Sequence, residues 1–550
     1  MEASVPRHSP PIKLANLREK QLGQALSSPD GWDVVIIGGG ATGLGAAVDS
    51  AARGYRTLLL EAHDFAKGTS SRSTKLIHGG VRYLASGQLS MVRHALAERE
   101  RLLKNAPHVV HTLEFVIPSP GTVDKLYYWT GLKLYDWLAG KSQVPPARSL
   151  SRAEVNQRQP TLRPDRYGGG ILYCDAQFDD ARLAISLART AIELGACVLN
   201  YVSVDKLLFD DGKVVGLEAT DQFTMQSFSI RSKATINATG VFAERILTQD
   251  PSFEIGKVAV RPSQGIHLVL PQEFLPTQSA LLIPKTDDGR VLFAIPWLGK
   301  TLIGTTDVPV QSIQLEPRAQ NSEIDYLLEH VGRYLMHTPK REDVLSVFAG
   351  LRPLVDHRQS SSTTASMSRE HHILCNPSGL ISIIGGKWTT YRHMAEEVVD
   401  LAQQNASLMQ VASTTANLQL VGASRTPVQP NSAPSLTSIP QRLACFGTEA
   451  ASILELEAED RQLAAVIHPE SEHTYGELHW MLEHEMAVTI EDVLARRWRL
   501  LLLDARLAIK CAPPVARFMA ACGQHDENWV AQQVKEFESL ARGYLPENQN

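Results

Sequence analysis

Three glycines, Gly38, Gly40 and Gly43, are spaced to bring backbone amides against a negatively charged ligand. In such a pattern the first glycine allows a tight turn and the second lets main chain approach a pyrophosphate. The third lets the following helix pack closely on its strand. Glu61 follows 23 residues after Gly38, where a carboxylate can accept ribose hydroxyls and would repel a 2′-phosphate. Directly after it, HDFAKGTSSRSTKLIHGGVRYL is rich in glycine and small hydroxyl residues, among them Thr69, Ser70 and Ser71, with Lys75 close behind. Much later, Gly385-Gly386-Lys387 forms a second glycine turn, with Thr389 just beyond it.

The elements that must position these residues are legible in the hydrophobic pattern. Asp33–Ile37 is a short apolar run of the kind buried on both faces of a parallel sheet, and a small-residue helix closed by Gly54 follows the glycine turn. Arg56–Leu60 is the next strand, so the motif sits inside a βαβ unit, the context that makes it specific for a dinucleotide. Ala234–Asn237 runs as a further strand into Ala238-Thr-Gly240, and Leu380–Ile384 runs into Gly385-Gly386 ahead of a helix near 389–404. A helix N-terminus there could stabilise negative charge on the pyrimidine side of a flavin. A long polar segment after Glu61 suits a chain lying along an extended cofactor. Together these features point to FAD over a nicotinamide dinucleotide.

Composition sets the limits. The chain has 550 residues, enough for about three domains, and 54 Lys plus Arg against 59 Asp plus Glu give a net charge of −5. That balance carries no footprint for nucleic acid. Six scattered cysteines without a C-x-x-C argue against a disulfide framework or a zinc site, and no metal is expected. No apolar run reaches the length of a membrane span, and residues 1–30 read as a flexible arm without a secretory signal. Residues 405–438, rich in Ser, Thr, Asn and Pro, read as a linker, and 439–550 as a helical C-terminal domain.

The set DVVIIGGGATGLGAAVDSAARGYRTLLLEAHDFAKGTSSRSTKLIHGGVRYL resembles FAD-dependent glycerol-3-phosphate dehydrogenases of the respiratory, quinone-linked kind. Further matches follow in order: APH at 106–108, DDARL at 179–183, NATG at 237–240, IGTTD at 303–307, GLRPL at 350–354 and GGKWTTYR at 385–392. The resemblance implies an α/β fold: an FAD-binding Rossmann-like domain of the glutathione-reductase type, a β-rich substrate domain and an α-helical C-terminal domain. FAD-binding segments are expected at about 31–115, 170–260 and 350–404, interleaved with a substrate domain at about 80–170 and 260–350. The implied reaction is oxidation of sn-glycerol 3-phosphate by hydride transfer to FAD, with electrons passing to a membrane quinone.

By the same resemblance, Gly38, Gly40, Gly43, Glu61, Thr69, Ser70, Ser71, Lys75, Ala238, Gly240, Gly385, Gly386, Lys387 and Thr389 would hold the cofactor. Arg82, Tyr83, Thr305 and Arg369 would bind substrate, with His78, Arg352 and Lys387 at the reacting carbon. His78 is the leading base because imidazole titrates near neutrality, whereas the guanidinium of Arg352 keeps its proton and is assigned to the substrate oxygen. RPSQGIH at 261–267 departs from bacterial relatives that carry lysine where Gln264 stands, so no role is carried over to Gln264 or His267.

A quinone acceptor requires contact with a bilayer, expected at the inner face of the cytoplasmic membrane. The best candidate stretch is Lys125–Lys141, where Tyr127, Tyr128, Trp129, Tyr135 and Trp137 are interleaved with lysines, although a helical wheel shows no single clean apolar face. Three rivals stay open: a glycerol-3-phosphate oxidase making hydrogen peroxide, an FAD dehydrogenase of another hydroxy acid or amine, and a flavin-binding scaffold. A homodimer is one assembly the sequence allows.

Overall fold

The structure is a computed structural model and describes residues 16–28, 30–80, 87–140, 142–254, 259–356, 370–424 and 439–546. The short apolar runs build the first of two sheets. Its parallel strands lie in the order Leu380–Gly385, Ser227–Asn237, β1 (Trp32–Ile37), β2 (Thr57–Leu60) and Cys197–Leu199. His371–Cys375 adds an antiparallel edge beside Leu380–Gly385. Val34, Val35 and Ile36 are fully buried, because the helices α2 (Ala41–Ala52), Asp180–Glu193 and Tyr391–Asn405 cover one face. The hairpin Val202–Asp210/Lys213–Asp221 covers the other, and its two-residue turn, Asp211-Gly212, has positive φ at both positions. That is the turn a DG pair favours.

The second sheet has ten strands and is mostly antiparallel. Its spine is the long strand Ala259–Pro271, paired with Ser346–Asp356 over eleven residues, Ala259 to Val269 opposite Asp356 to Ser346. Val110–Ser119 and Gly169–Phe178 also belong here, as an antiparallel pair. The sequence reading places parts of all four of these strands in the FAD-binding unit, and the structure moves that boundary. The reason is that a strand buried along its whole length, as Gly169–Phe178 is, reads alike in either sheet. The helical C-terminal domain packs on this sheet, joining Phe115, Trp297 and Phe348 to Leu478, Met481, Trp498 and the run Leu500–Leu503 in one apolar core.

Two expectations about connecting segments are corrected. The supposed flexible arm contains α1 (Leu17–Leu26), which packs on the edge strand Cys197–Leu199. Its Arg18 is buried, donating to the carbonyl of Asn200 at 3.1 Å and pairing with Asp221. The supposed linker is, over 406–424, a strap docked on α2. Thr415 Oγ1 donates to the buried Asp49 carboxylate at 3.2 Å, and Leu420 N donates to Asn105 O at 2.9 Å. Serine and threonine suit this segment because a buried carboxylate needs small hydroxyl donors. Residues 425–438 lie outside the described residues.

Arg18→Ala leaves Asp221, on the hairpin, without its buried partner. The substitution is expected to cost about 3 kcal/mol, read as a lower denaturant midpoint with an unchanged slope; a free arm would show no change.

Candidate active site

The C-terminal ends of the parallel strands open on an elongated cavity of 620 Å³. At one end stands the glycine turn. Gly38 has φ +108°, and a Cβ on it would lie 2.7 Å from the Ala238 carbonyl oxygen; a Cβ on Gly43 would lie 1.8 Å from the Gly38 oxygen. Gly43 therefore does not line the cavity but lets α2 begin where it does. Gly40 offers no capping side chain, the N-terminus of α2 faces the cavity, and Gly38, Gly40, Ala41 and Thr42 form the wall. Ser70 Oγ accepts from Ala41 N at 2.9 Å. Glu61 also lines this end. Its carboxylate accepts Gly39 N at 2.6 Å and His63 N at 2.8 Å. Burial raises its pKa, and the two backbone donors oppose that shift.

At the far end, Gly385 and Gly386 carry φ of +86° and +88°, turning the chain into the wall formed by Lys387, Trp388 and Thr389. Trp388 Nε1 donates to the Ser70 carbonyl at 2.8 Å, tying the second glycine turn to the hydroxyl-rich segment that follows Glu61. Thr389 Oγ1 accepts His78 N at 3.3 Å, which places the His78 turn against the Lys387 turn. Arg352 enters from the second sheet and donates to Thr305 Oγ1 and to the Thr306 carbonyl, both at 3.1 Å. Thr305 thus stands behind Arg352. Gly265 makes room for this arrangement, since a Cβ there would meet the guanidinium at 2.4 Å and displace it.

The structure brings together His78, Arg352, Lys387, Glu61, Thr69, Ser70, Ala238, Gly240, Gly385, Gly386 and Thr389 around this cavity. Ser71 and Lys75, both expected to hold the cofactor, turn away from it. Lys75 has a left-handed backbone (φ +62°), and its ammonium is buried against Asp180 at 2.7 Å and the Ser71 carbonyl at 2.8 Å. Burial pushes its pKa down to about 7, with Asp180 pulling the other way. Asp180 lies 105 residues further on, so no local pattern could reveal that pairing. Arg82, Tyr83 and Arg369 lie outside the described residues.

One wall residue has no role in the sequence reading. His267 is buried, stacks on Phe348 at 5.0 Å and exchanges a hydrogen bond with Thr74 Oγ1 at 2.9 Å, while its Nδ1 has no partner. Burial, reinforced by the Lys75 and Arg352 cations, holds its pKa well below the ordinary value. Strand alternation in RPSQGIH is the signal that could have found it, because Gly265 and His267 share a face. Gln264 points the opposite way and donates to Glu323 at 2.7 Å.

A glycine turn, a helix N-terminus facing the cavity, a buried carboxylate and a second glycine turn along one channel fit an extended dinucleotide whose reactive end reaches Arg352. Fold and site thus define a flavin-dependent oxidoreductase. The sequence pattern of the FAD dependent oxidoreductase family matches residues 33–392, and that of the C-terminal domain of alpha-glycerophosphate oxidase matches residues 413–529. A Caenorhabditis elegans protein named probable glycerol-3-phosphate dehydrogenase, mitochondrial, is 39% identical, over 90% of this chain and 71% of that one. The Saccharomyces cerevisiae mitochondrial glycerol-3-phosphate dehydrogenase is 36% identical, over 94% and 89%. The solved structure of the Bacillus halodurans glycerol-3-phosphate dehydrogenase with FAD shares 29% identity at a TM-score of 0.80, over 98% and 99% of the two chains. The chain belongs to the FAD dependent oxidoreductase family and, one step finer, to its glycerol-3-phosphate dehydrogenase branch; its cofactor is FAD.

His267 is expected to stay neutral at the pH where an exposed imidazole titrates, about 6.5, because burial and the neighbouring cations hold its pKa well below that. The unfolded chain then binds the extra proton below about pH 6.5, and this residue's contribution lowers folded stability as pH falls through that value. Histidine-labelled NMR checks it: a His267 resonance titrating near neutrality would contradict the site's geometry.

Proposed function

We propose that the enzyme oxidises sn-glycerol 3-phosphate to dihydroxyacetone phosphate and delivers the electrons to a quinone at a membrane surface. The observation that carries the reaction is the convergence of His78, Arg352 and Lys387 at the end of the FAD channel remote from α2. Bound FAD supplies the two-electron acceptor for the hydride on the substrate's C2. His78 takes the C2 hydroxyl proton, completing the removal of two electrons and two hydrogens from the alcohol. Arg352, held from behind by Thr305 and Thr306, keeps the C2 oxygen in line and stabilises the charge that builds on it. Lys387 adds a second cation at the same end. We assign Arg82, Tyr83 and Arg369 to the phosphate, which a planar guanidinium binds as a fork.

The helix Thr122–Ala139 supports the membrane part of the reading. Val123, Leu126, Tyr127, Leu134 and Trp137 are exposed, Trp137 at 74%, while Leu132 and Tyr135 are buried. At 3.6 residues per turn these exposed side chains fall within roughly 100° of arc. Folding thus sorts out the apolar face that the bare sequence wheel obscures. The lysines of this helix turn back onto the protein. Lys125 and Lys133 donate to the Leu150 and Ala147 carbonyls at 2.7 Å, and Lys133 lies over the Trp129 ring at 4.4 Å. Among the described residues no helix is long and apolar enough to cross a membrane. Contact through this one face is the arrangement we propose, at the inner leaflet of a cytoplasmic membrane.

The match to an alpha-glycerophosphate oxidase C-terminal domain favours oxygen as the second candidate acceptor. Anaerobic mixing with sn-glycerol 3-phosphate should bleach the flavin band near ~450 nm, and glycerol should leave it unchanged. Reoxidation by a quinone analogue without peroxide supports the dehydrogenase; one peroxide per turnover in air at a comparable rate supports the oxidase. His78→Asn should slow bleaching by roughly 10²-fold, and an unchanged rate would remove His78 from its role.

Leu126→Ser with Trp137→Ser should weaken binding to phospholipid vesicles by about tenfold or more. Turnover with a water-soluble dye should be unaffected. Unchanged vesicle flotation would show that another surface meets the bilayer.

A further inference from the structure

We infer that Arg496, Arg497 and Arg499 of the helical C-terminal domain are positioning residues for the cofactor. They hold the segment 62–74 in the form that lines the FAD cavity. The inference depends on the cavity being the FAD site, but not on the substrate or the electron acceptor.

This segment has two faces. Lys67, Thr69, Ser70, Ser73 and Thr74 form part of the cavity wall. The opposite face is held by charges from the C-terminal domain. Asp64 is completely buried and receives both Arg496 and Arg497. The Ser71 carbonyl accepts Arg499 Nη2 at 2.8 Å, and the same nitrogen donates to Asp180 Oδ1 at 2.8 Å. The other Asp180 oxygen accepts Ser73 Oγ at 2.7 Å, so Arg499 reaches a wall residue through one carboxylate. Lys67 Nζ meets Glu491 of the C-terminal domain at 2.5 Å. None of the three arginines lines the cavity, so their action on the cofactor passes through the segment.

The local backbone is shaped for this. Regular helical spacing would spread residues 496, 497 and 499 around the axis at about 100° per residue. Instead Asp492–Arg497 is a π-helix, and Arg499 has φ +63°, a left-handed conformation that costs a non-glycine residue energy. The wider turn and the left-handed residue bring all three guanidinium groups to one side. Arg499 and Arg497 are only 1% and 2% exposed. Buried arginines need paired acceptors, and beyond those of their own domain they find Asp64 and the Ser71 carbonyl of the segment, with Asp180 beside it.

The test is FAD affinity, measured by equilibrium dialysis on folded apoprotein. If Arg499→Met lets the segment spend only a tenth of its time in the competent form, the dissociation constant rises about tenfold. The apoprotein's unfolding midpoint should stay within about 4 °C of the parent's. With FAD saturating, the visible circular dichroism of the bound flavin should still differ from the parent's. Arg499→Lys, able to reach one acceptor but not both, should lie between. Unchanged affinity, or a loss that only tracks apoprotein stability, overturns the inference. Should Arg499→Met fail to fold, Glu491→Gln weakens the hold on Lys67 and Arg496 at the partly exposed edge of the same cluster, and unchanged affinity there overturns it equally. A parent protein that binds no FAD would fault the assignment of the cavity itself.

Discussion

The structure depends on one electrostatic constraint: the N-terminus of α2 opens on the cavity, where Gly40 supplies no capping side chain and Ser70 takes only the Ala41 amide. Exposed helix amides want a negative partner, and a dinucleotide pyrophosphate meets that demand without adding a cation to the site. Only glycine permits the approach, since a Cβ at Gly38 or Gly43 would overlap carbonyl oxygens. Around this point the rest is arranged. Glu61 is locked by two backbone donors, and Trp388 reaches back from the second glycine turn to the Ser70 carbonyl.

The second sheet solves a different problem, holding a cation steady at the reactive end of a long channel. Arg352 sits in the middle of an eleven-residue antiparallel ladder, opposite Ser263. That ladder fixes the backbone, and Thr305 and the Thr306 carbonyl fix the guanidinium. The same ladder presents Gly265 and His267 to the cavity and sends Gln264 to the other side, where it supports Glu323. Gln264 therefore belongs to the packing behind the site.

The helical C-terminal domain is joined to the rest by both apolar and ionic contacts. Its leucines share a core with the second sheet, and its arginines meet the carboxylates beneath the cofactor segment. Buried charges of this kind are expensive unless each finds its partner, so they specify a single docking geometry. Cofactor segment and C-terminal domain are thereby coupled, although more than 400 residues separate Asp64 from Arg496.

Sequence alone determined the parts governed by local rules. A βαβ unit needs a buried apolar run, a glycine turn and a small-residue helix in succession, and residues 33–60 supply them in order. The Asp211-Gly212 hairpin and the turn at Gly385-Gly386 follow equally from local backbone preference. Tertiary structure decided what depends on partners distant in the chain. Lys75 reads as a cofactor ligand until Asp180 stands beside it, and α1 reads as a loose arm until Arg18 meets Asp221. Strands buried on both faces carry no mark of which sheet they join, and His267 is set at the site only by its pairing across the second sheet. Backbone preference acts over a few residues and is written in them, whereas the pairing of buried charges and strands is settled only when the whole chain closes.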